Sequence, residues 1–210
     1  MIFIDIEPTG MGMHPKNCIL ELGAEMWING SKMGDFYVKM KPTKDVVYQK
    51  WNNKPINYEK AQRFQKLSYA LTNSAGYKKF VEWLNTYINP MDKEDKAWLC
   101  AYNATEGMDL RLLRNWFAKN SDPYLFSYID QDQVDIKAWT VNFLKNKVRV
   151  LKDRKLGTIY EFVTGNEIDR QQLHTASYDC ALSSELYYAV QKQRDKKAIE
   201  EFTNDYLKEE

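Results

Sequence analysis

Met1-Ile2-Phe3-Ile4-Asp5-Ile6-Glu7-Pro8-Thr9-Gly10 opens the chain, and the alternation within it decides how the rest is read. A strand sends successive side chains to opposite faces, so Ile2, Ile4 and Ile6 fall on one face and Phe3, Asp5 and Glu7 on the other. Pro8-Thr9-Gly10 breaks the strand. Two residues apart on one face, the Asp5 and Glu7 carboxylates stand about 7 Å from each other. Like charges that close favour a divalent cation between them, although a solvated strand end accounts for the same pair. A tight turn at Pro8-Thr9-Gly10-Met11 would bring backbone amides and Met11 beside the two acids.

Outward from this strand, residues 19–27 read as a second strand, Asn29-Gly30 as a hairpin turn, and residues 35–41 as a third strand closed by Pro42. Residues 43–75 are polar; a helix over 58–71 preceded by a loop is the expectation there. Tyr77, Val81, Leu84 and Ile88 recur at helical spacing, and Pro90 stops that element. Residues 97–102 form a short apolar strand, and residues 109–118 a helix with Leu110, Leu113 and Phe117 inward. Strand candidates at 124–130 and 133–136 precede helices at 138–144 and 156–163, the latter capped by Gly165. A last helix covers about 175–193. Strands first, then strands interleaved with helices, define one α/β domain with a mixed central sheet and helices on both faces, spanning 1–190. Residues 191–210 are a charged helical extension or tail, either solvated or a partner contact, with Ile199, Phe202 and Tyr206 at helical spacing.

Thirty Lys plus Arg against 29 Asp plus Glu leave the 210-residue chain near +1, less basic than a protein that coats long duplex nucleic acid. That balance still permits an enzyme gripping a few nucleotides at one end and borrowing positive charge from bound metal. With 44% apolar and 14% aromatic residues a substantial core is available, which excludes a largely disordered chain. Cys18, Cys100 and Cys180 form no CxxC pair and read as buried small hydrophobes in a reducing, cytoplasmic setting. An acid inside the first strand argues against a signal peptide, and no 18-residue apolar run offers a membrane span.

Two further stretches carry titratable groups. In His174-Thr175-Ala176-Ser177-Tyr178-Asp179, Thr175 suits a helix cap, leaving His174 in the loop and Asp179 in the second turn. A loop histidine titrates near neutrality and suits a general base; a surface histidine before a helical aspartate explains the hexapeptide as well. His14, the other histidine, lies in a polar turn and is incidental. In the stretch from Ala101 to Leu113, a strand ends at Asn103 and Asp109 opens a helix. An acid there also favours the helix dipole.

Taken together the three stretches resemble the DEDDh 3′→5′ exonuclease superfamily, which includes the proofreading epsilon subunit, ribonuclease T and oligoribonuclease. Its DxExTG motif is matched by Asp5 to Gly10, followed by a strand of IxElGA type at residues 19–24, and its HxAxxD motif by His174, Ala176 and Asp179. Residues 155–169 look like the family's helix before that histidine. The middle motif departs: Met108 stands where the family has an aromatic, and Asn103 lies two residues farther from Asp109 than the pattern requires. Glu106 is the alternative acid. The resemblance implies a ribonuclease H-like fold and two cations, Mg²⁺ or Mn²⁺, held by Asp5, Glu7, Asp109 and Asp179, with His174 as general base. It places Thr9 and Met11 against the terminal nucleotide and Asn103 on the side of the second metal. The implied activity is release of 5′-mononucleotides from the 3′ end of single-stranded DNA. RNA trimming is the alternative substrate, and an inactive nucleic-acid-binding module the alternative class. A polymerase or a second copy of the chain are the partners such a domain could have.

Overall fold

In the computed structural model, residues 1–10, 14, 16–51, 53–104, 108–120 and 124–206 are described; Trp51, Met108 and residues 198–206 are described by their backbone alone. A five-stranded mixed sheet is built from β1 (Ile2–Pro8), β2 (Ile19–Ile28), β3 (Ser31–Lys39), β6 (Ala97–Ala101) and β7 (Ile129–Asp135), in the order β3-β2-β1-β6-β7. β1 pairs antiparallel with β2 and parallel with β6, and β6 pairs parallel with β7. β4 (Lys50–Trp51) and β5 (Lys54–Pro55) make a separate small ribbon. The helices are α1 (Tyr58–Lys66), α2 (Asn73–Asn85), α3 (Met108–Lys119), α4 (Ile136–Leu144), α5 (Leu156–Thr164) and α6 (Ala176–Tyr206).

The alternation of β1 divides the molecule into two cores. Ile2, Ile4 and Ile6 pack with Tyr77, Phe80 and Leu84 of α2 and Leu112, Leu113, Trp116 and Phe117 of α3. Phe3 packs on the opposite face with Ile136 of α4, Ile159 and Tyr160 of α5, and Leu186 and Val190 of α6. Helices therefore cover both faces, and Asp5 and Glu7 share the face of Phe3. Glu25, on that face of β2 and 5% exposed, is satisfied by Ser184 Oγ of α6 at 2.6 Å, Trp27 Nε1 at 2.9 Å and Lys32 Nζ at 2.7 Å. All three cysteines are buried, as expected of small apolar side chains.

Several boundaries differ from the sequence expectation. β3 begins directly after the Asn29-Gly30 turn, whose residues have φ 51° and 77°, instead of at residue 35. Its first half is exposed at the sheet edge and carries no alternation. α1 ends at Lys66, because Leu67 is extended (φ −75°, ψ 124°) and Leu71 then bridges to Met40. α2 starts at Asn73, where the Thr72 hydroxyl accepts from the Ala75 amide at 3.2 Å. A 3₁₀ turn over Leu125–Ser127 replaces the first strand candidate of that region, and β7 absorbs most of the second. Asp135, ending β7, caps α4 by accepting from the Ala138 amide at 2.9 Å. Gly165, at φ 74°, caps α5 as expected. α6 runs on to Tyr206, well past residue 193. None of the described helices is long and apolar enough to cross a membrane.

Candidate active site

β1 delivers Asp5 and Glu7 toward its C-terminal end, and parallel β6 delivers Asn103 just beyond its own. In open α/β sheets the carboxyl ends of such strands are where ligands sit. α3 contributes Asp109 from its first turn, and α6 contributes Asp179 from its first turn with His174 two residues before the helix. One side-chain ligand atom each from Glu7, His174 and Asp179 lie within 4.8 Å of one another. Asp5 feels Asp109, Asp179 and Glu7, and Asp109 feels Glu7. The expected acids therefore form one electrostatic cluster, with His174 exposed at its rim.

Burial sets the protonation of the cluster. Desolvation first, then the neighbouring carboxylates of Asp109, Asp179 and Glu7, hold the Asp5 carboxyl well above the usual range. Asp109, 7% exposed, is pushed up to about 7 by burial, with Glu7 adding to the push against its own backbone amide. Asp179 rises to about 6 through burial, opposed by the His174 amide that donates to its Oδ2 at 3.1 Å. Its other oxygen, Oδ1, is buried and has no hydrogen-bond partner among the described residues. An orphaned carboxylate oxygen within a repelling set of hard oxygen donors fits a small divalent cation.

Asn57 and Lys60 had no sequence signal, and Glu21 was legible only as part of the strand at residues 19–24. Asn57, left-handed at φ 51°, stands just before α1 and donates through Nδ2 to Glu7 Oε2 at 2.9 Å and to the Pro8 carbonyl at 2.8 Å. Lys60 Nζ lies 3.4 Å from both Glu7 Oε2 and Glu21 Oε1 and donates to the His174 carbonyl at 2.7 Å. Glu21 accepts the Ala176 amide through Oε2 at 3.2 Å. Thr9 is fully buried, and its hydroxyl accepts from the Cys18 amide at 3.0 Å, which ties the end of β1 to the start of β2. Asn103, left-handed at φ 71°, accepts from Lys137 Nζ through Oδ1 at 2.8 Å. Met11 and Glu106 lie outside the described residues.

Gly23 of β2 lies directly under the start of α6. A methyl group there would meet the Ala176 carbonyl oxygen at 2.4 Å and the Ser177 amide nitrogen at 2.7 Å, both backbone atoms. Gly23→Ala is expected to displace the start of α6 and to cost about 1–3 kcal/mol, the usual range for overpacking. A chemical denaturation curve measures it; an unchanged midpoint would show that the α6 terminus yields freely.

No protein-family model matches the chain, and no curated protein matches it in sequence. Solved structures do match. A product-bound exonuclease I aligns with TM-score 0.64 and 16% identity over 96% of this chain and 45% of that one. The zinc-bound complex of E. coli exonuclease I with single-stranded DNA aligns with TM-score 0.63 and 15% identity, over 97% of this chain and 42% of that one. E. coli exonuclease I in complex with a dT13 oligonucleotide gives TM-score 0.63 and 17% identity, over 95% and 42%. What is shared is the ribonuclease H-like fold, with its mixed sheet covered by helices on both faces. The chain spans less than half the length of these neighbours.

Proposed function

We propose that the protein is a metal-dependent 3′→5′ exonuclease that hydrolyses the terminal phosphodiester of single-stranded nucleic acid, DNA in the first instance, and releases 5′-mononucleotides. The convergence of Asp5, Glu7, Asp109 and Asp179 from three separate elements, with the exposed His174 beside them, carries this reading. The fold shared with exonuclease I, structures of which hold single-stranded DNA and a zinc ion, agrees with it. Asp5, Glu7, Asp109 and Asp179 would hold Mg²⁺ or Mn²⁺. When bound, such cations supply the positive charge that acidifies the attacking water and stabilises the leaving 3′ oxygen. His174 takes the proton of that water, its exposed position giving the imidazole access to the terminal phosphate. Asn57 holds Glu7 at one oxygen, fixing the end of β1 while the strand binds. Thr9 and Met11 are assigned to the terminal nucleotide, with the Thr9 hydroxyl also accepting from the Cys18 amide, and Asn103 to the side of the second metal. End-labelled single-stranded DNA and RNA, each with Mg²⁺ and with excess EDTA, test the reading and separate the two substrates. Full release in EDTA, or no release from either strand with metal, would end it.

The same acids make stability depend on pH and metal together. Asp109 (about 7) and Asp179 (about 6) bind protons more tightly in the folded chain than when unfolded, where the ordinary value is 3.8. The folded state then holds more protons than the unfolded one between these values, so the contribution of both groups to stability falls as pH rises from about 4 to about 7. A cation favours the ionised form and is opposed by protons. At 100 times its Kd it stabilises by about 2.7 kcal/mol, which is roughly 5–10 °C for a domain of this size. The expected result is a metal-free melting temperature that drops on going from about pH 5 to about pH 8, and a Mg²⁺-induced rise larger at the higher pH. Equal rises at the two values would separate the acids from the metal.

A further inference from the structure

The turn carrying His174 is held from outside its own segment at two adjacent points. On the carbonyl side of His174 it meets the Lys60 ammonium of α1, at 2.7 Å. On the amide side of Ala176 it meets the Glu21 carboxylate of β2, at 3.2 Å. The two grips pair with each other at 3.4 Å, with side chains only 14% and 3% exposed, so this is not a loose surface pair. Tyr37 of β3 donates to the same Glu21 Oε2 that accepts the Ala176 amide, at 3.1 Å, while Lys60 takes Oε1. Lys60 also reaches Glu7 Oε2 at 3.4 Å, so one cation touches both the strand bearing Glu7 and the residue bearing the imidazole. His174 needs such support. At φ 64° it sits in the left-handed region, which a non-glycine residue keeps only when its surroundings over-determine it.

We propose that Lys60 and Glu21 are positioning residues that together lock the His174 turn, and with it the imidazole, against the carboxylates of β1. The proposal rests on His174 acting as the base of the nuclease reaction, and it extends that reading to two residues that touch neither substrate nor the reacting atoms. Lys60→Met keeps the aliphatic stem and removes the ammonium. Glu21→Gln keeps an acceptor for the Ala176 amide and removes the charge that faces Lys60.

Two measurements on the full chain test it. Backbone amides of residues 174–179 in Lys60→Met should exchange with deuterium about tenfold faster or more, the size expected when a hydrogen bond to a charged group is lost. Amides of residues 182–190 should be unchanged. On single-stranded DNA, kcat should fall about tenfold with KM within about twofold, the signature of an interaction that serves the transition state. Added propylamine should return several-fold of the activity lost by Lys60→Ala; a lysine that merely packed α1 would give no such rescue. Wild-type exchange and wild-type kcat in Lys60→Met, or no rescue of Lys60→Ala, would overturn the lock. If exchange quickened throughout the chain, the variant would have failed to fold, and Glu21→Gln would decide by the same two measurements. A wild-type protein without nuclease activity would remove the proposed function, while the exchange experiment would still decide whether the lock exists.

Discussion

Asp109→Asn is expected to lose more than about 100-fold in turnover, since even outer partners of metal ligands cost about 10–100-fold when replaced. Glu106→Gln is expected to keep most of it. The choice rests on position: Asp109 is 7% exposed, lies in the first turn of α3, and is electrostatically coupled to Asp5 and Glu7. Leu112 and Leu113 behind it are buried in the core, which fixes the helix in register. The isosteric change should also raise the metal-free melting temperature near neutral pH. It removes a carboxyl that burial has pushed up to about 7 and that costs stability when ionised. Gain in stability with loss of turnover is what a site built from mutually repelling groups should show. Steady-state rates and metal-free melting curves of both variants check this. An active Asp109→Asn beside an inactive Glu106→Gln would move the second-motif acid to Glu106.

The parts of this site that could be read from sequence share one property: their signal is local. β1 shows its two faces in seven residues, and His174, Ala176 and Asp179 lie within a single turn and helix start. The Asn29-Gly30 turn and the Gly165 cap are likewise set by backbone chemistry within a residue or two. Much of what could not be read comes from residues 43–75. α1 buries only Ala61 and Phe64, so its amphipathic stripe is thin. Asn57 and Lys60 act on residues 50 and 114 positions away, and no periodicity encodes such pairings. Glu21 was visible as a strand residue, yet its work depends on meeting Ala176 from the far end of the chain. β7 was misread for a related reason. At the sheet edge its Gln131, Asp132 and Gln133 are exposed, and no apolar alternation marks the strand. Burial on both faces of β2 had the opposite effect, making its apolar run plain.

The second large effect is expected at His174, and it should differ in kind from that at the acids. His174→Ala should cut turnover by roughly 10²-fold or more, the usual contribution of a positioned general base. Metal-induced stabilisation should stay nearly intact, because the carboxylates carry it. Asp179→Ala should damage both. That residue offers a buried oxygen without a partner among the described residues, and its other oxygen accepts the His174 amide at 3.1 Å, so its loss also frees the turn. The geometry leaves one competing role to separate. His174, Glu7 and Asp179 place ligand atoms within 4.8 Å of each other, close enough for the histidine itself to bind a cation. Metal-dependent melting curves and steady-state rates of His174→Ala and Asp179→Ala, taken side by side, distinguish the two roles. A histidine acting as ligand would make its alanine variant lose metal stabilisation as completely as Asp179→Ala does, and the general-base assignment would then have to be given up. Wild-type turnover in His174→Ala would have the same consequence.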